Sequence, residues 1–277
     1  MTPPKINAGN LRPVTPSTIL SEKLNQLHLQ MIASGTVIEL LPLIEQCKNL
    51  ITPLDHYLLH SSSQPSSALN DLEIETNKLD WDSAFAKAET DLPLEKEMLS
   101  GAVEGQFLKM LTAISKAKRV LEIGSFTGYA SLAIAEALPE NGVLIACEYD
   151  KFTADFAQQQ LAKSEHGKKV TIKVGDALQT LDQLITDGEQ FDLVFIDADK
   201  QGYQDYYDKV LDGNLLYKDG IICVDNTLYQ GQAYSPNEVS DNGKAIQKFN
   251  ESIAQDSRVD KVLLPLRDGL TIIRRVI

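Results

Sequence analysis

Asp197-Ala198-Asp199-Lys200 and Asp225-Asn226-Thr227-Leu228 each close a short apolar run and place oxygen donors where the chain leaves a strand. In a parallel sheet the carboxyl ends of neighbouring strands lie about 5 Å apart, and ligands bind in the crevice outside them. Asp197, Asp225 and Asn226 therefore converge if the two runs are neighbours. All three offer oxygen and none of the four histidines falls in a ligand pair, a donor set that suits Mg²⁺ or Ca²⁺ rather than zinc. Either motif alone also fits an ordinary helix cap; together they read as a metal site. Glu122-Ile123-Gly124-Ser125-Phe126-Thr127-Gly128 has the form of a strand, a turn and a helix start, with its glycines spaced G-x-x-x-G. The G-x-G-x-x-G cradle for a pyrophosphate is absent. Glu148 ends the next β-rich run, where a carboxylate can accept hydrogen bonds from both hydroxyls of a ribose. Gly175-Asp176-Ala177 closes the third run with a polar edge and a small residue suited to an adenine. Each alone is also a plain surface acid or turn, but the three fall in register along one sheet edge.

The elements that must position these residues begin at Arg119. Short β-rich runs at 119–124, 143–148, 170–174, 191–197 and 220–225 alternate with helical stretches, and Leu193-Val194-Phe195-Ile196 is apolar on both faces. Such runs belong to parallel strands covered by helices on each side, which predicts a doubly wound α/β sheet. After a helix at about 241–256, Val259–Leu266 and Leu270–Val276 flank Arg267-Asp268-Gly269, the signature of an antiparallel hairpin. A dinucleotide-binding sheet more often continues parallel, so this ending favours the seven-stranded mixed sheet of methyltransferases. Upstream, residues 1–16 lack periodicity and look disordered; Pro16-Ser17-Thr18 starts an amphipathic helix that Gly35 stops, and Val37–Leu50 marks a second. Ser61–Ser67 reads as a loop, followed by helical signals near 68–79, 82–90 and 93–117. The expected organisation is an N-terminal helical extension, 1–60, and a catalytic domain, 68–277.

Composition narrows the partners. The 277 residues carry 39 acidic against 26 Lys and Arg side chains, a formal charge of −13, and no dense basic run, which argues against nucleic acid. Cys47, Cys147 and Cys223 form no C-x-x-C pattern and fit reduced thiols in a cytoplasmic protein, and neither a leader nor a membrane span is expected.

In these motifs the sequence resembles the cation-dependent O-methyltransferase family that includes caffeoyl-CoA and catechol O-methyltransferases. The likeness covers roughly residues 51–277 and rests on Glu104-Gly105-Gln106-Phe107-Leu108, Glu122-Ile123-Gly124 through Thr127-Gly128-Tyr129, Asp197-Ala198-Asp199-Lys200, Asp225-Asn226-Thr227-Leu228 and Asp268-Gly269-Leu270. It implies a Rossmann-like methyltransferase fold with S-adenosylmethionine as cofactor. Glu122 and Gly124 would line the methionine end, Glu148 the ribose, Asp176 and Ala177 the adenine, and Asp199 the amino group. Met98 and Ser100 match positions where the family contacts cofactor and metal, and Tyr129, Ser131 and Asp197 also match cofactor positions. A divalent ion on Asp197, Asp225 and Asn226 would chelate two vicinal oxygens of a small acceptor and lower the pKa of the one being methylated. Lys200 is the matched general base, kept neutral by the nearby cation.

Two departures stand out. Plant members carry Trp-Asn-Gly after the metal asparagine, whereas this chain has Tyr229-Gln230-Gly231. The divergence resembles bacterial members that methylate a cyclohexenone on the way to mycosporine sunscreens. Residues 1–50 have no counterpart and are either a dimerisation or core-covering arm, with a homodimer the expected state, or a substrate lid. Two other functions compete. A nucleotide-linked oxidoreductase shares the doubly wound sheet, but the missing third glycine and the hairpin count against it. A non-catalytic interaction protein should have lost Asp197, Asp225, Asn226 or Glu148, and all remain.

Overall fold

The computed structural model describes residues 12–35 and 38–276. The apolar signal at Val37, most of the aperiodic lead at 1–16 and the end of the family resemblance at Ile277 lie outside the described residues.

Seven strands, β1 (Arg119–Ile123), β2 (Val143–Glu148), β3 (Val170–Val174), β4 (Phe191–Ile196), β5 (Leu216–Val224), β6 (Val259–Leu264) and β7 (Leu270–Arg275), form one sheet in the order β3-β2-β1-β4-β5-β7-β6. The first five are parallel, whereas β7 runs antiparallel to both β5 and β6. Alternate side chains enter two cores, as the two-sided apolar runs require. Leu121, Ile123, Val194, Ile196 and Val224 meet Leu181, Tyr203, Val210, Ile246 and Phe249 on one face. On the other, Val120, Leu144, Leu193, Phe195 and Cys223 meet Leu108, Ala130 and Ile134. Those partners belong to α9 (Ala177–Thr186), α10 (Tyr203–Asp212) and α11 (Asp241–Gln255) on the first face, and to α6 (Gly101–Ser115) and α7 (Tyr129–Ala137) on the second; α8 (Lys151–Leu161) crosses from β2 to β3. The strand order reverses between β1 and β4, so the crevice for a ligand opens at the carboxyl ends of these two strands.

Before the sheet come α1 (Pro16–Ser34), α2 (Leu41–Ile51), α3 (Leu54–Ser61), α4 (Ser67–Lys78) and α5 (Trp81–Ala86). Thr15 and Thr18 form a reciprocal cap at the start of α1, and Gly35 ends it in the left-handed conformation. The expectation that residues up to 16 are disordered fails where they are described. Arg12 pairs with Glu95, its backbone N–H donates to Glu97, and Thr15 is buried. The single helix expected over 93–117 also fails. A 3₁₀ turn at Lys96–Met98 precedes α6, which begins only at Gly101, where φ is +73°. That break turns Met98 and Ser100 toward the sheet edge instead of continuing a helical face. Among the described residues no helix is long and apolar enough to cross a membrane, and all three cysteines are free.

Helix α4 shows how a single polar cap seats an apolar face. Ser66 accepts from the Leu69 backbone N–H and donates to Glu136 on α7, while Leu69 and Leu72 pack on Leu132 and Ala133. Ser66→Ala is expected to lower unfolding free energy by about 1 kcal/mol, the usual worth of a cap, read as a shifted denaturant midpoint at unchanged slope.

Candidate active site

A cleft of about 910 Å³ lies along the carboxyl ends of β1, β2, β4 and β5. Its floor depends on Gly124. The φ there is +89°, and a Cβ would stand 2.0 Å from the Asp197 carbonyl oxygen, so only glycine lets the ends of β1 and β4 approach this closely.

The cofactor half of the expected site is partly in the cleft and partly behind it. Gly124, Glu148, Asp176, Ala177, Asp197, Asp199, Met98 and Ser100 line the cleft. Glu148 Oε2 accepts from the Phe126 N–H at 2.7 Å and Oε1 from the Asp150 N–H at 2.9 Å. Burial outweighs these two donors and pushes its pKa up to about 7. Asp199 caps the turn at Lys200–Gly202 and accepts from Tyr206 Oη at 2.5 Å, and Asp176 caps α9. Capping and cleft lining thus coincide at both aspartates. Glu122 and Tyr129 instead line a small neighbouring cavity with Ser125. Ser131 reaches neither space. It is fully buried and donates to Glu122, supporting that carboxylate from the rear. Burial raises the Glu122 pKa to about 8, and its Oε1 has no partner.

At the acceptor half, Ile196 and Val224 are paired neighbours on β4 and β5, so Asp197 and Asp225 leave adjacent strand ends. Asn226 follows with φ +56°, a left-handed backbone for a residue with a side chain. Tyr229, Gln230 and Arg267 share that positive φ around the same crevice, an accumulation of strained backbone of the kind found at ligand sites. Asp225 is 4% exposed, and its Oδ1 has no hydrogen-bond partner. Burial first, and Asp197 second, push its pKa up to about 7. Among the described residues no three His, Cys, Asp or Glu side chains are grouped as metal ligands. The donor set at hand is two carboxylates and an amide, and an orphaned, desolvated carboxylate oxygen within it fits a hard divalent cation.

Lys200 is held by two neighbours. Its Nζ donates to Asp197 Oδ1 at 2.9 Å and to Tyr203 Oη at 2.7 Å. Burial works against the ammonium, yet Asp197, Tyr203 and Asp225 together raise its pKa above the ordinary value. In this arrangement the lysine is a charged partner of Asp197 rather than a neutral base; added positive charge on the two aspartates would reverse the balance.

Four residues that help build the site had no role assigned from the sequence, although Glu104 stands in a motif that carries the family resemblance. Tyr203 Oη donates to the Asp225 carbonyl at 3.1 Å. Arg267 Nη1 donates to the Leu99 carbonyl at 3.0 Å and to Glu104 Oε2 at 3.2 Å. Arg12 enters the cleft lining from the N-terminal arm. The signal for Glu104 was present: an acid one turn before Leu108 on the buried face of an apolar helix needs a partner.

With this geometry in place, the comparisons with known proteins are decisive. Residues 63–276 match the family model described as O-methyltransferase. The chain belongs to the O-methyltransferase family. A Dictyostelium discoideum relative named probable caffeoyl-CoA O-methyltransferase 2 is 40% identical over 182 residues, covering 65% of this chain and 78% of the relative. Caffeoyl-CoA O-methyltransferase 2 of Petunia hybrida is 37% identical over 188 residues, covering 65% and 77%. Among solved structures, SAH-bound methyltransferase PaMTH1 of Podospora anserina superposes with a TM-score of 0.71 at 28% identity, over 83% of this chain and 97% of that one. The SAM complex of O-methyltransferase TomG from Streptomyces achromogenes, described as involved in tomaymycin synthesis, gives 0.66 at 28% identity over 80% and 96%. The seven-stranded mixed sheet is thus the methyltransferase variant of the doubly wound fold, and the oxidoreductase reading is set aside.

Proposed function

We propose that this O-methyltransferase moves the methyl group of S-adenosylmethionine to one oxygen of a small vicinal diol or enol, with a divalent cation held by Asp197, Asp225 and Asn226. The observation that carries the reading is the unpartnered Oδ1 of Asp225, buried beside Asp197 in the same cleft whose other end presents the Glu148 carboxylate. The cation, when bound, supplies a Lewis acid that lowers the pKa of the acceptor hydroxyl. The chain does the rest by position. Glu148 orients the nucleoside, and Asp197, Asp225 and Asn226 fix the acceptor oxygens opposite the sulfonium. Lys200 Nζ is the proposed recipient of the acceptor's proton, and it has to be neutral to serve. Holding both reactants in one cleft converts a bimolecular encounter into an oriented one.

Charge in the cleft favours a small, weakly charged acceptor. Among the described residues ten carboxyl side chains line it against Arg12, Lys200 and Arg267, and those three cations pair with Glu95, Asp197 and Glu104 respectively. None is left over for the phosphates of a nucleotide thioester. A cyclohexenone enol of the kind methylated on the way to mycosporines meets the requirement, as does a catechol. The names of the relatives favour a second reading, a CoA thioester, and the same assay separates the two. Turnover on catechols and cyclohexenone enols is expected to exceed that on caffeoyl-CoA and to vanish in EDTA, returning with Mg²⁺ or Ca²⁺. Faster turnover on the thioester overturns the acceptor, and activity indifferent to EDTA on a chelatable substrate overturns the cation.

The N-terminal arm is proposed to border the cleft and to mediate self-association. Residues 12–15 border the cleft and α1 packs on the acceptor-side segment Tyr229–Tyr234. Leu20, Leu29, Leu50 and Tyr57 of the arm face outward and exposed, which supports a homodimer formed through it.

A further inference from the structure

Glu104 is the most deeply buried acid at the acceptor end, and nothing in the proposed reaction uses it. Its carboxyl is 1% exposed and lies within hydrogen-bonding reach of the Asp225 carboxyl. Yet neither Glu104 Oε1 nor Asp225 Oδ1 has a donor. Two neighbouring carboxyl groups with oxygens that lack a donor are costly unless a proton or a cation stands between or beside them. Fixed charge at the spot does not balance. Glu104, Asp197 and Asp225 contribute three negative charges when ionised, against the guanidinium of Arg267 and the ammonium of Lys200.

Arg267 shows that Glu104 is held deliberately. The guanidinium comes from the left-handed turn between β6 and β7, bonds the Leu99 carbonyl ahead of α6, and fixes only Oε2. Oε1 is left without a partner. With Oε2 committed to Arg267, Glu104 has one oxygen left for a role one layer outside the two aspartates. Outer carboxylates of this kind orient ligands and strengthen metal binding about 10- to 100-fold.

We propose that Glu104 is a positioning residue of the cation site, holding Asp225 and the ion's outer shell through its free carboxylate oxygen, with Arg267 as its anchor. The inference rests on the cation reading given above. Calorimetric titration of Mn²⁺ into the chelator-treated protein tests both separately, with S-adenosylhomocysteine titrations on the same samples. Glu104→Gln keeps the shape and an oxygen for Arg267 but removes the charge. It is expected to weaken Mn²⁺ binding at least tenfold while S-adenosylhomocysteine affinity stays within twofold. Arg267→Gln, which frees Oε2, is expected to weaken Mn²⁺ binding less than Glu104→Gln does. Should the parent protein bind no Mn²⁺, the cation reading itself falls. Parent-like Mn²⁺ affinity in Glu104→Gln overturns the role of Glu104 alone. A parallel loss of S-adenosylhomocysteine affinity in Glu104→Gln also overturns it, because the residue would then be a general prop of the cleft.

Discussion

Asp225→Ala is expected to lose methyl transfer roughly 1000-fold in kcat while binding S-adenosylhomocysteine as tightly as the parent. The loss corresponds to about 4 kcal/mol of transition-state stabilisation, within the range supplied by a Lewis acid at a developing oxyanion. Selectivity follows from position. Asp225 leaves β5 at the acceptor end, whereas Glu148 leaves β2 on the far side of β1. Stability should move the other way. Burial and Asp197 raise the folded pKa of Asp225 to about 7, so the folded chain holds that proton more tightly than the unfolded one. The metal-free protein therefore loses stability as pH rises from the ordinary aspartate range through about 7. Alanine removes this contribution. In chelator at pH 8, Asp225→Ala should melt no lower than the parent, and a kcat within tenfold of the parent would refute the ligand assignment.

The second large effect concerns Glu148, which has two jobs that two substitutions separate. Both oxygens already accept backbone N–H groups from Phe126 and Asp150, and the carboxylate has lone pairs left for ribose hydroxyls. Charge-assisted bonds contribute about 1.5–3 kcal/mol each, so Glu148→Ala should weaken S-adenosylhomocysteine binding about 100-fold. Glu148→Gln preserves part of the backbone support and should weaken it about tenfold. Ribose hydroxyls favour the ionised acid, so binding releases a proton, and affinity should rise with pH through about 7 and level off above. That pH dependence should flatten in the glutamine variant. Calorimetry from pH 6 to 8.5 checks all three statements; affinity within threefold for Glu148→Ala would remove this residue from the ribose site.

The sheet was legible because its signal is local. Parallel strands covered on both faces are continuous apolar runs, and Glu148, Asp197 and Asp225 are conspicuous as the acids that end them. The hairpin announced itself through Asp268-Gly269 for the same reason. Helix boundaries carried less information. Met98, Leu99 and Phe107 keep helical spacing across a break made by the extended Leu99 and the left-handed Gly101. The anchoring of Glu104 by Arg267 was hidden for a different reason. The two are far apart in sequence, and in isolation one looks like a helix acid and the other like a turn residue. The split of the cofactor residues between the cleft and the layer behind it was equally hidden, since Ser131 and Glu122 differ only in which way a side chain points. Arg12 lay in a stretch whose composition suggested disorder, and its ion pair with Glu95 depends on tertiary contact.

The seat of α1 on Tyr229–Tyr234 sets an order of events during synthesis. The arm leaves the ribosome well before the surface it rests on, which is made about 200 residues later. At about 5–20 residues per second the helix waits on the order of 10–40 s for that surface. During this interval its leucines can bury themselves only against α2 and whatever else is nearby, including another nascent chain on the same message. That part of the cleft's border is therefore completed only after strands β1 to β5 have been made.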